Sequence, residues 1–461
     1  MTRTQSETLH IGCGAGFAGD RFDAAIPVVA TLRQRTGPRF LIFETLAERT
    51  LAHAQRLRLD DPERGYSPWL ERYVEPILRE VFQSGIRIVS NFGAANPMAA
   101  GKLICEIARA QGLDGLKVGV VEGDDLRQTM TDDELLSHAI IDGLAPPTGS
   151  LVAANAYLGG RPIADALDQG ADVVVTGRCA DPALVVGPAM HTFGWREGED
   201  DRIATATLAG HLIECGAQVT GAYFADPGYK DVAGLSRVGF PIAEITDDLG
   251  VTITKAAATG GLVSAQTVKE QLLYEVHDPA AYLTPDVTMD ITAAHVTEIS
   301  ANRVAIEGVR GHPAPEKLKA TLSYEAGWLG EGEISYAGPN AYARAELAVD
   351  VLRQRCALKG LNTPVRFDII GAASVHDGDS AALRSASKFA PEGDYRVRAA
   401  VGSAAKDTAQ FIADEVLSLY CSGPAGGAGV RQSVTPRLST ASILVARDKC
   451  QARVTLLEAG A

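Results

Sequence analysis

The first 200 residues alternate between short apolar runs and longer stretches in which apolar side chains recur every three or four positions. The apolar runs include 39–43, 86–90, 117–121 and 171–176, and most of them contain valine or isoleucine. Such runs predict buried strands, and the stretches between them predict helices. Strands that alternate with helices indicate an α/β fold, here a mostly parallel, Rossmann-like sheet covered by helices on both faces.

Local signals predict where several helices begin or break. Pro27 favours a first helix that begins beside it, because proline is tolerated in the first turn of a helix. Asn96 followed by Pro97 is typical of a helix start. Pro76 predicts an interruption of the helix expected over 69–84. With helices that begin at these positions, only short loops remain between each predicted strand and the helix that follows it.

The pattern changes in the second half of the chain. Residues 218–224 are expected to form a strand. Farther on, the signals follow the order β-α-β-β-α-β, which is the split βαβ plan of ferredoxin-like domains. Its predicted elements are strand 318–324, helix 340–358, strands 365–370 and 395–401, helix 404–420 and a closing strand within 442–457. We therefore expect a Rossmann-like α/β domain over 1–284 and an α+β C-terminal domain over 285–461.

A glycine-rich turn follows the first predicted strand, with the spacing G-x-G-x-x-G. Its candidate ligand-binding residues are Gly14, Gly16, Gly19, Asp20 and Arg21. Such glycines let a backbone approach a ligand closely and leave amide N–H groups for an anion. Glu44 ends the second predicted strand, at about the position where a dinucleotide-binding fold holds its ribose. The spacing alone is weak evidence, so a turn without a ligand stays an alternative, and NAD(P) is not favoured.

Polar side chains follow nearly every predicted strand of the first half. Because the carboxyl ends of parallel strands lie at one edge of a sheet, we expect these side chains to converge on one crevice. Convergence of this kind indicates an active site. The candidates are Glu122, Asp124, Arg178 and Asp181 for catalysis, and Glu44, Asn91, Asn96, Asn155, Gly260 and Gly261 for ligand binding.

These candidates also have structural alternatives. Asn96 and Asp181 could serve as helix caps. Asp124 could be a solvated loop charge, and Asn91 and Asn155 could form turns.

Arg178 is the hardest of the candidates to explain by structure alone. It follows three valines at the end of a strand predicted to be central, so its guanidinium is expected to be nearly buried. A buried guanidinium needs a carboxylate or an anionic ligand. Asp181, three residues later, is one partner, and a substrate carboxylate or phosphate is the other.

Composition narrows the classes of partner and site. The chain has 43 Lys and Arg against 57 Asp and Glu, a net charge of −14, which argues against nucleic acid or an anionic membrane as a partner. No apolar stretch approaches a membrane span, and the polar N-terminus lacks the apolar region of a signal peptide. The seven scattered cysteines form no C-x-x-C pair, and no H-x-x-x-H motif occurs. We expect a cytoplasmic protein without a metal site; an oxygen-ligated Mg²⁺ at Glu122, Asp124 and Asp125 is the alternative.

Five linked segments carry a resemblance to a known family: 11–21 (IGCGAGFAGDR), 90–97 (SNFGAANP), 154–160 (ANAYLGG), 176–181 (TGRCAD) and 259–261 (TGG). Together they resemble the acyclic terpene utilisation protein A (AtuA) family, over roughly residues 9–445. The family's namesake belongs to a pathway that degrades citronellol and geraniol through acyl-CoA intermediates. The resemblance therefore implies soluble bacterial catabolism of branched acids or their CoA esters. It implies neither an established reaction nor assigned catalytic residues.

From the polar rim and this resemblance we expect a lyase or hydratase that acts on a small branched carboxylate or its acyl-CoA ester. Glu122, Asp124 or Asp181 would transfer a proton, and Arg178 would anchor the anion. A CoA ester is a possible substrate, and no cofactor is assigned. The alternatives are a nucleotide-dependent oxidoreductase and a non-catalytic subunit that needs a partner chain. The expected partners are a small anionic substrate and further copies of this chain in a homo-oligomer.

Overall fold

The structure is a computed structural model that describes residues 7–143, 148–372, 374–375 and 388–460. The internal contacts divide the described residues into two compact units. The first takes in the chain up to Pro146, Leu151–Ser323 and Thr440–Ala461, and the second takes in Pro147–Ser150 and Tyr324–Ser439. This division does not measure independent folding, so the domain boundary expected between residues 284 and 285 stays a prediction.

A ten-stranded mixed sheet is the largest element of the first unit. The strands of this unit are β1 (Thr8–Ala15), β2 (Arg39–Phe43), β3 (Arg87–Ser90), β4 (Lys117–Glu122), β5 (Leu151–Ala156), β6 (Val173–Thr176), β7 (Pro241–Thr246), β8 (Val251–Lys255), β9 (Tyr282–Leu283), β10 (Thr288–Asp290), β11 (His295–Ser300), β12 (Arg303–Glu307), β13 (Arg310–His312), the start of β14 (Lys317–Gly338) and β18 (Arg453–Glu458). The large sheet has the order β11-β12-β8-β7-β1-β2-β3-β6-β4-β18. Strands β13, β10 and β9 form a small separate sheet, and β5 pairs with β14.

The expectation of a mostly parallel sheet holds only for the centre of this sheet. The order β1-β2-β3-β6-β4 is parallel throughout. On one side β7, β8, β12 and β11 continue in antiparallel pairs, and on the other β18 runs antiparallel to β4. The reason is the length of the connections: β7 and β8 are joined by a short turn, which permits only an antiparallel pair, whereas parallel neighbours need a long crossover.

Helices cover both faces of the parallel centre. The helices of the first unit are α1 (Ala25–Leu32), α2 (Glu48–Asp60), α3 (Leu70–Val74), α4 (Leu78–Gln83), α5 (Pro97–Ala110), α6 (Asp132–Leu136), α7 (Arg161–Asp168), α8 (Ala183–Phe193), α9 (Asp200–Ile213) and α10 (Ala265–Leu273). Gly101 of α5 lies against Val120 of β4, and Ala166 of α7 lies against Gly119. Neighbouring strand residues point to opposite faces, so α5 and α7 lie on opposite sides of the sheet. Across the described residues, no helix combines the length and apolarity that crossing a membrane requires.

The local signals in the sequence are largely confirmed. Helix α1 begins at Ala25, beside Pro27 and well beyond the glycine turn. Asn96 caps α5, since its side chain accepts a hydrogen bond from the backbone N–H of Ala99. The helix expected over 69–84 is divided at Pro76 into α3 and α4.

The strand expected over 218–224 is wrong. Residues Gly216–Gln218 form a 3₁₀ turn, and further turns follow. Gly216 and Gly221 have φ values of 58° and 100°, in the left-handed region that an extended strand does not visit.

The second unit contains most of β14, then α11 (Ala341–Leu358), β15 (Val365–Ile370), β16 (Gly393–Ser403), α12 (Lys406–Ser422) and part of β17 (Ala428–Ala446). Its strands are ordered β15-β16-β14-β17. Strand β14 extends far beyond the predicted 318–324. Its inward positions include Gly330 and Gly332, where a Cβ atom would lie 2.1 Å from the Ala409 carbonyl oxygen and 2.6 Å from Val416 Cβ of α12. The strand was not predicted beyond residue 324 because these glycines stand at inward positions, where a strand usually has apolar side chains. The Rossmann-like and ferredoxin-like assignments stay predictions.

A buried carboxylate ties three strands of the large sheet together. Glu244 of β7 accepts two hydrogen bonds from Arg303 of β12, at 3.0 and 2.6 Å, and lies 3.5 Å from Arg35 and 3.9 Å from His10 Nδ1 of β1. Although burial opposes ionisation, the hydrogen bonds and charge of Arg303 hold the pKa of Glu244 below its usual value. The carboxylate therefore balances positive charges that would otherwise lie unpaired at the sheet.

We expect Glu244→Gln to lower the free energy of unfolding by roughly 3 kcal/mol, because it leaves partly buried guanidinium groups without their counterion. Urea unfolding would measure the change. Glu80→Gln is the matched control: Glu80 pairs with Arg33 on the surface, with about half of each side chain exposed, so its loss should cost less than about 1 kcal/mol. Equal effects of the two substitutions would contradict this account.

Candidate active site

A cavity of about 1690 Å³ lies in the first unit where β1, β2 and β6 end. Five of the candidates predicted from the sequence line it: Gly16, Asp20, Glu44, Arg178 and Asp181. They come from the loops after three parallel strands, as expected for carboxyl ends that meet at one edge. The remaining candidates are not among the described residues that line the cavity, and their positions are given below.

The Arg178 side chain is almost completely buried in the cavity wall, with 2% of its surface exposed. Its Nη1 donates to the carbonyl oxygen of Leu46, and its Nη2 donates to Asp181 Oδ1. The guanidinium carbon lies 4.3 Å from the centre of the Tyr157 ring, in a cation–π contact. Its Nε has no hydrogen-bond partner within the described ranges. Of the two partners expected from the sequence, Asp181 is therefore present.

Glu44 lies beside this guanidinium and is held by its own loop. Its Oε1 accepts hydrogen bonds from the backbone N–H of Leu46 at 2.9 Å and from Asn91 Nδ2 at 2.8 Å. Asn91 Oδ1 accepts in turn from the backbone N–H of Thr45 at 2.8 Å. Asn91 thus positions Glu44 from behind the cavity wall.

The charge of the Arg178 guanidinium acts on two carboxyl groups, those of Glu44 and Asp181. Burial and the negative charge of Asp181 raise the pKa of Glu44 well above its usual value, against the opposing charge of Arg178. Burial also raises the pKa of Asp181, against its direct hydrogen bond with Arg178. A single positive charge neutralises a single carboxylate, so one carboxyl keeps its proton to a higher pH. The direct partner, Asp181, is the group that ionises first.

A second cation, Lys319, lines the same cavity. Tyr157 donates a hydrogen bond to Glu48 Oε1, and Lys319 Nζ lies 3.3 Å from the same oxygen. Lys319 Nζ also lies 4.8 Å from the centre of the Tyr157 ring. Although burial opposes it, the hydrogen bond from Tyr157, together with Lys319 and Arg178, lowers the pKa of Glu48 to about 2. Glu48 is therefore a fixed anion, unlike Glu44.

Asp124 and Asn155 lie beneath the cavity, where they support the Arg178 backbone. Asp124 Oδ2 accepts from the backbone N–H of Arg178 at 2.9 Å and from Asn155 Nδ2 at 2.8 Å. Burial raises the pKa of Asp124 to about 6, against these two hydrogen bonds. Glu122 is the last residue of β4 and faces Arg453 of β18 across an antiparallel pair. It is not among the described residues that line the cavity.

Two backbone N–H groups of the glycine turn donate to a carboxylate of the same turn. Asp20 Oδ2 accepts from the backbone N–H of Gly16 at 3.0 Å, and Asp20 Oδ1 accepts from the backbone N–H of Arg21 at 2.7 Å. A Cβ atom on Gly16 would lie 2.3 Å from the backbone of Cys215, so the glycine permits a close chain contact. The anion at this turn is the chain's own carboxylate. A helix N-terminus is also missing here, because α1 begins only at Ala25.

The other glycine and asparagine candidates have structural contacts. Gly14 packs against the Phe43 ring, and Gly19 has a φ of 84°. Gly260 forms a β-bridge with Val238 and packs against the Gly234 carbonyl, and Gly261 follows it with a φ of 88°. Two further candidates make hydrogen bonds away from the cavity: Asn96 Nδ2 donates to the carbonyls of Pro62 and Arg64, and Arg21 Nη1 donates to that of Val238. Their roles in ligand binding stay predictions.

Comparison with known protein families identifies the family of this chain. The model of the acyclic terpene utilisation family protein AtuA matches residues 9–456. The chain belongs to the AtuA family. A search of curated proteins found no match. Membership in the AtuA family indicates a link to acyclic terpene utilisation, and it confirms the resemblance carried by the segments around Gly14, Asn91, Asn155 and Arg178.

Sequence reasoning missed several residues of this AtuA-family cavity. Glu48 and Lys319 gave no local signal, since they are 271 positions apart and meet only in the fold. Tyr157 lay in a segment that carried the resemblance but was not considered for the site. His211 and Glu214 had a usable signal: they are two ionisable residues, three positions apart, at the end of an apolar helix. No group of three or more His, Cys, Asp or Glu side chains placed to hold a metal ion occurs among the described residues.

The raised pKa of Asp124 predicts a pH-dependent stability. The folded protein holds this proton up to about pH 6, whereas the unfolded chain loses it near pH 3.8, so stability falls as pH rises through this interval. The decrease from this group amounts to about 3 kcal/mol at most. In Asp124→Asn this part of the pH dependence should disappear, as measured by urea unfolding from pH 4 to pH 7. Asp133→Asn, at an exposed position of α6, should leave it unchanged; a D124N curve parallel to the wild type would refute the assignment.

Proposed function

We propose that this AtuA-family chain is an enzyme of acyclic terpene utilisation, a lyase or hydratase that acts on a branched carboxylate or its acyl-CoA ester. The observation that carries the proposal is the pair of carboxyls, Glu44 and Asp181, around the single buried guanidinium of Arg178. Acid–base catalysis requires groups whose protonation states differ near neutral pH, and such an environment separates them.

The contacts suggest a role for each group. Asp181 is the base, because its hydrogen bond with Arg178 keeps it ionised and 37% of its side chain is exposed. Glu44 is buried and retains a proton, which leaves one anion, Asp181, beside the cation of Arg178. Arg178 stabilises the negative charge that develops on the carbonyl oxygen of the substrate when Asp181 removes a proton from the carbon α to that carbonyl.

The size and charge of the cavity bear on the substrate. Its volume of about 1690 Å³ is larger than the space that a small acid fills, which favours an acyl-CoA ester. Lys317 and Lys319 alternate along β14 at the cavity wall, and both are exposed. They are suitable contacts for the phosphates of a CoA ester. The occupied amide of Gly16 gives the alternative of a nucleotide-dependent oxidoreductase no support.

As expected from the sequence, we also propose that the protein is cytoplasmic and forms a homo-oligomer. Its first part is proposed to be Rossmann-like and its C-terminal part ferredoxin-like. The order of β14 to β17, in which the strand after the first helix lies at the sheet edge, supports the ferredoxin-like plan.

The test uses 3-hydroxy-3-methylbutanoyl-CoA, 3-hydroxybutanoyl-CoA and their free acids as probes. We expect the wild type to exchange the α-protons of the branched CoA ester in D₂O, as measured by mass spectrometry, and to form the enoyl ester. Asp181→Asn should slow exchange by about 100-fold or more, because the base is lost. Glu44→Gln mimics a protonated carboxyl and should slow exchange less than about tenfold at pH 7.

Asp165→Asn is the control, since Asp165 pairs with Arg161 on the surface of α7. It should exchange at the wild-type rate. Absence of both exchange and dehydration with all four probes would contradict the proposed function. Exchange by D181N at the wild-type rate would contradict the assignment of the base.

A further inference from the structure

A second pair of ionisable side chains lies buried at the end of α9. His211 and Glu214 expose 1% and 8% of their side chains, and His211 Nδ1 lies 3.2 Å from Glu214 Oε1. Their spacing of three residues places them on one face of the helix end. From Ile203 to Ile213 the helix is buried throughout. Burying two ionisable groups among apolar side chains is costly, so the pair calls for a role beyond packing.

The surroundings fix where the proton of this pair lies. His211 Nε2 is 3.3 Å from the carbonyl oxygen of Leu272, which only accepts hydrogen bonds, so Nε2 carries a hydrogen. His211 Nδ1 therefore faces Glu214 Oε1 with one shared proton, on the ring or on the carboxyl. Burial raises the pKa of Glu214 to about 7, against the opposing hydrogen bond from His211. Glu214 is thus able to give up a proton near neutral pH.

The second carboxyl oxygen of Glu214, Oε2, is buried and has no hydrogen-bond partner in the part of the chain that the structure describes. Glu214 lines the same cavity as Asp181. The other titratable groups whose charges act on it are His211, Asp181 and Glu275, and Glu214 in turn acts on Cys215 and Tyr282. A substrate oxygen in the cavity would supply the missing partner.

We propose that Glu214 is a catalytic acid, separate from Asp181, that protonates the hydroxyl group leaving the substrate, and that His211 is its positioning residue. This inference rests on the proposed function and specifies its reaction as a 3-hydroxyacyl dehydration. Asp181 takes the α-proton, and the electron pair of that C–H bond becomes the C=C bond. The C–O bond breaks, its electron pair stays on oxygen, and the proton from Glu214 completes a water molecule. Return of the proton from Asp181 to Glu214 restores the enzyme.

The separation of the two proton transfers makes the inference testable. Removal of the α-proton requires Asp181 only, whereas departure of the hydroxyl requires Glu214. With 3-hydroxy-3-methylbutanoyl-CoA we expect Glu214→Gln to keep α-proton exchange within about threefold of the wild type and to slow formation of the enoyl ester by about 100-fold or more. Glu199→Gln, at the start of α9 beside Arg202, is the control and should leave both rates unchanged.

The positioning role of His211 is tested through the pH profile. His211→Phe keeps a ring beside Tyr282 but removes the hydrogen bond and the charge that lower the pKa of Glu214. The pH above which dehydration declines should therefore move upward, while the exchange rate stays unchanged. A merely structural role would lower both rates and leave that pH in place.

The outcomes separate this inference from the proposed function. A wild type that neither exchanges nor dehydrates the probe overturns both. A wild type that does both, with an E214Q variant that dehydrates within about tenfold of it, overturns the role of Glu214 alone. Loss of exchange in a folded E214Q, judged by circular dichroism, also overturns it. Should E214Q fail to fold, Glu214→Leu, which suits the apolar surroundings and has no proton to donate, is measured in its place with the same expectation.

Discussion

The buried guanidinium of Arg178 constrains the loops that surround the cavity. Arg178 follows β6, and Asp181 lies in the same loop, but two of its partners come from elsewhere: the Leu46 carbonyl from the loop after β2 and the Tyr157 ring from the residue after β5. Strands β2 and β6 are not neighbours, because β3 lies between them. Because an unpaired buried charge is costly, the contacts of Arg178 hold together loops that follow strands which are not neighbours in the sheet. Asp124 completes the arrangement by holding the Arg178 backbone from below.

The parts of this arrangement that follow from periodicity could be predicted from the sequence. The valine run before Arg178 predicted a central strand, and the carboxyl ends of parallel strands had to meet at one edge, so Glu44, Arg178 and Asp181 were found. The antiparallel pairing of β7 with β1 and of β18 with β4 was not predicted, since it joins strands that are far apart in the chain. Glu48 and Lys319 could not be found, because their relation exists only after folding brings α2 and β14 together.

The glycine turn shows why a motif needs its structural context. Its spacing fits an anion site, and it does hold an anion, but the anion is Asp20 of the same turn. A carboxylate one residue after the last glycine competes for the same amides without the entropic cost of binding a separate molecule. The turn therefore lines the cavity with the backbone N–H groups of Gly16 and Arg21 already bonded to Asp20.

The charge of the cavity links its protonation to its ligand. The described side chains that line it include eight carboxyls and three Lys or Arg: Asp20, Glu44, Glu48, Asp181, Glu214, Glu275, Asp278 and Glu316 against Arg178, Lys317 and Lys319. Were every carboxyl ionised, an anionic substrate would meet a net repulsion throughout. Burial opposes that state, since it raises the pKa values of Glu44, Asp181 and Glu214. The protons that Glu44 and Glu214 retain reduce the negative charge that a bound anion would meet, and in the proposed reaction the proton of Glu214 passes to the substrate.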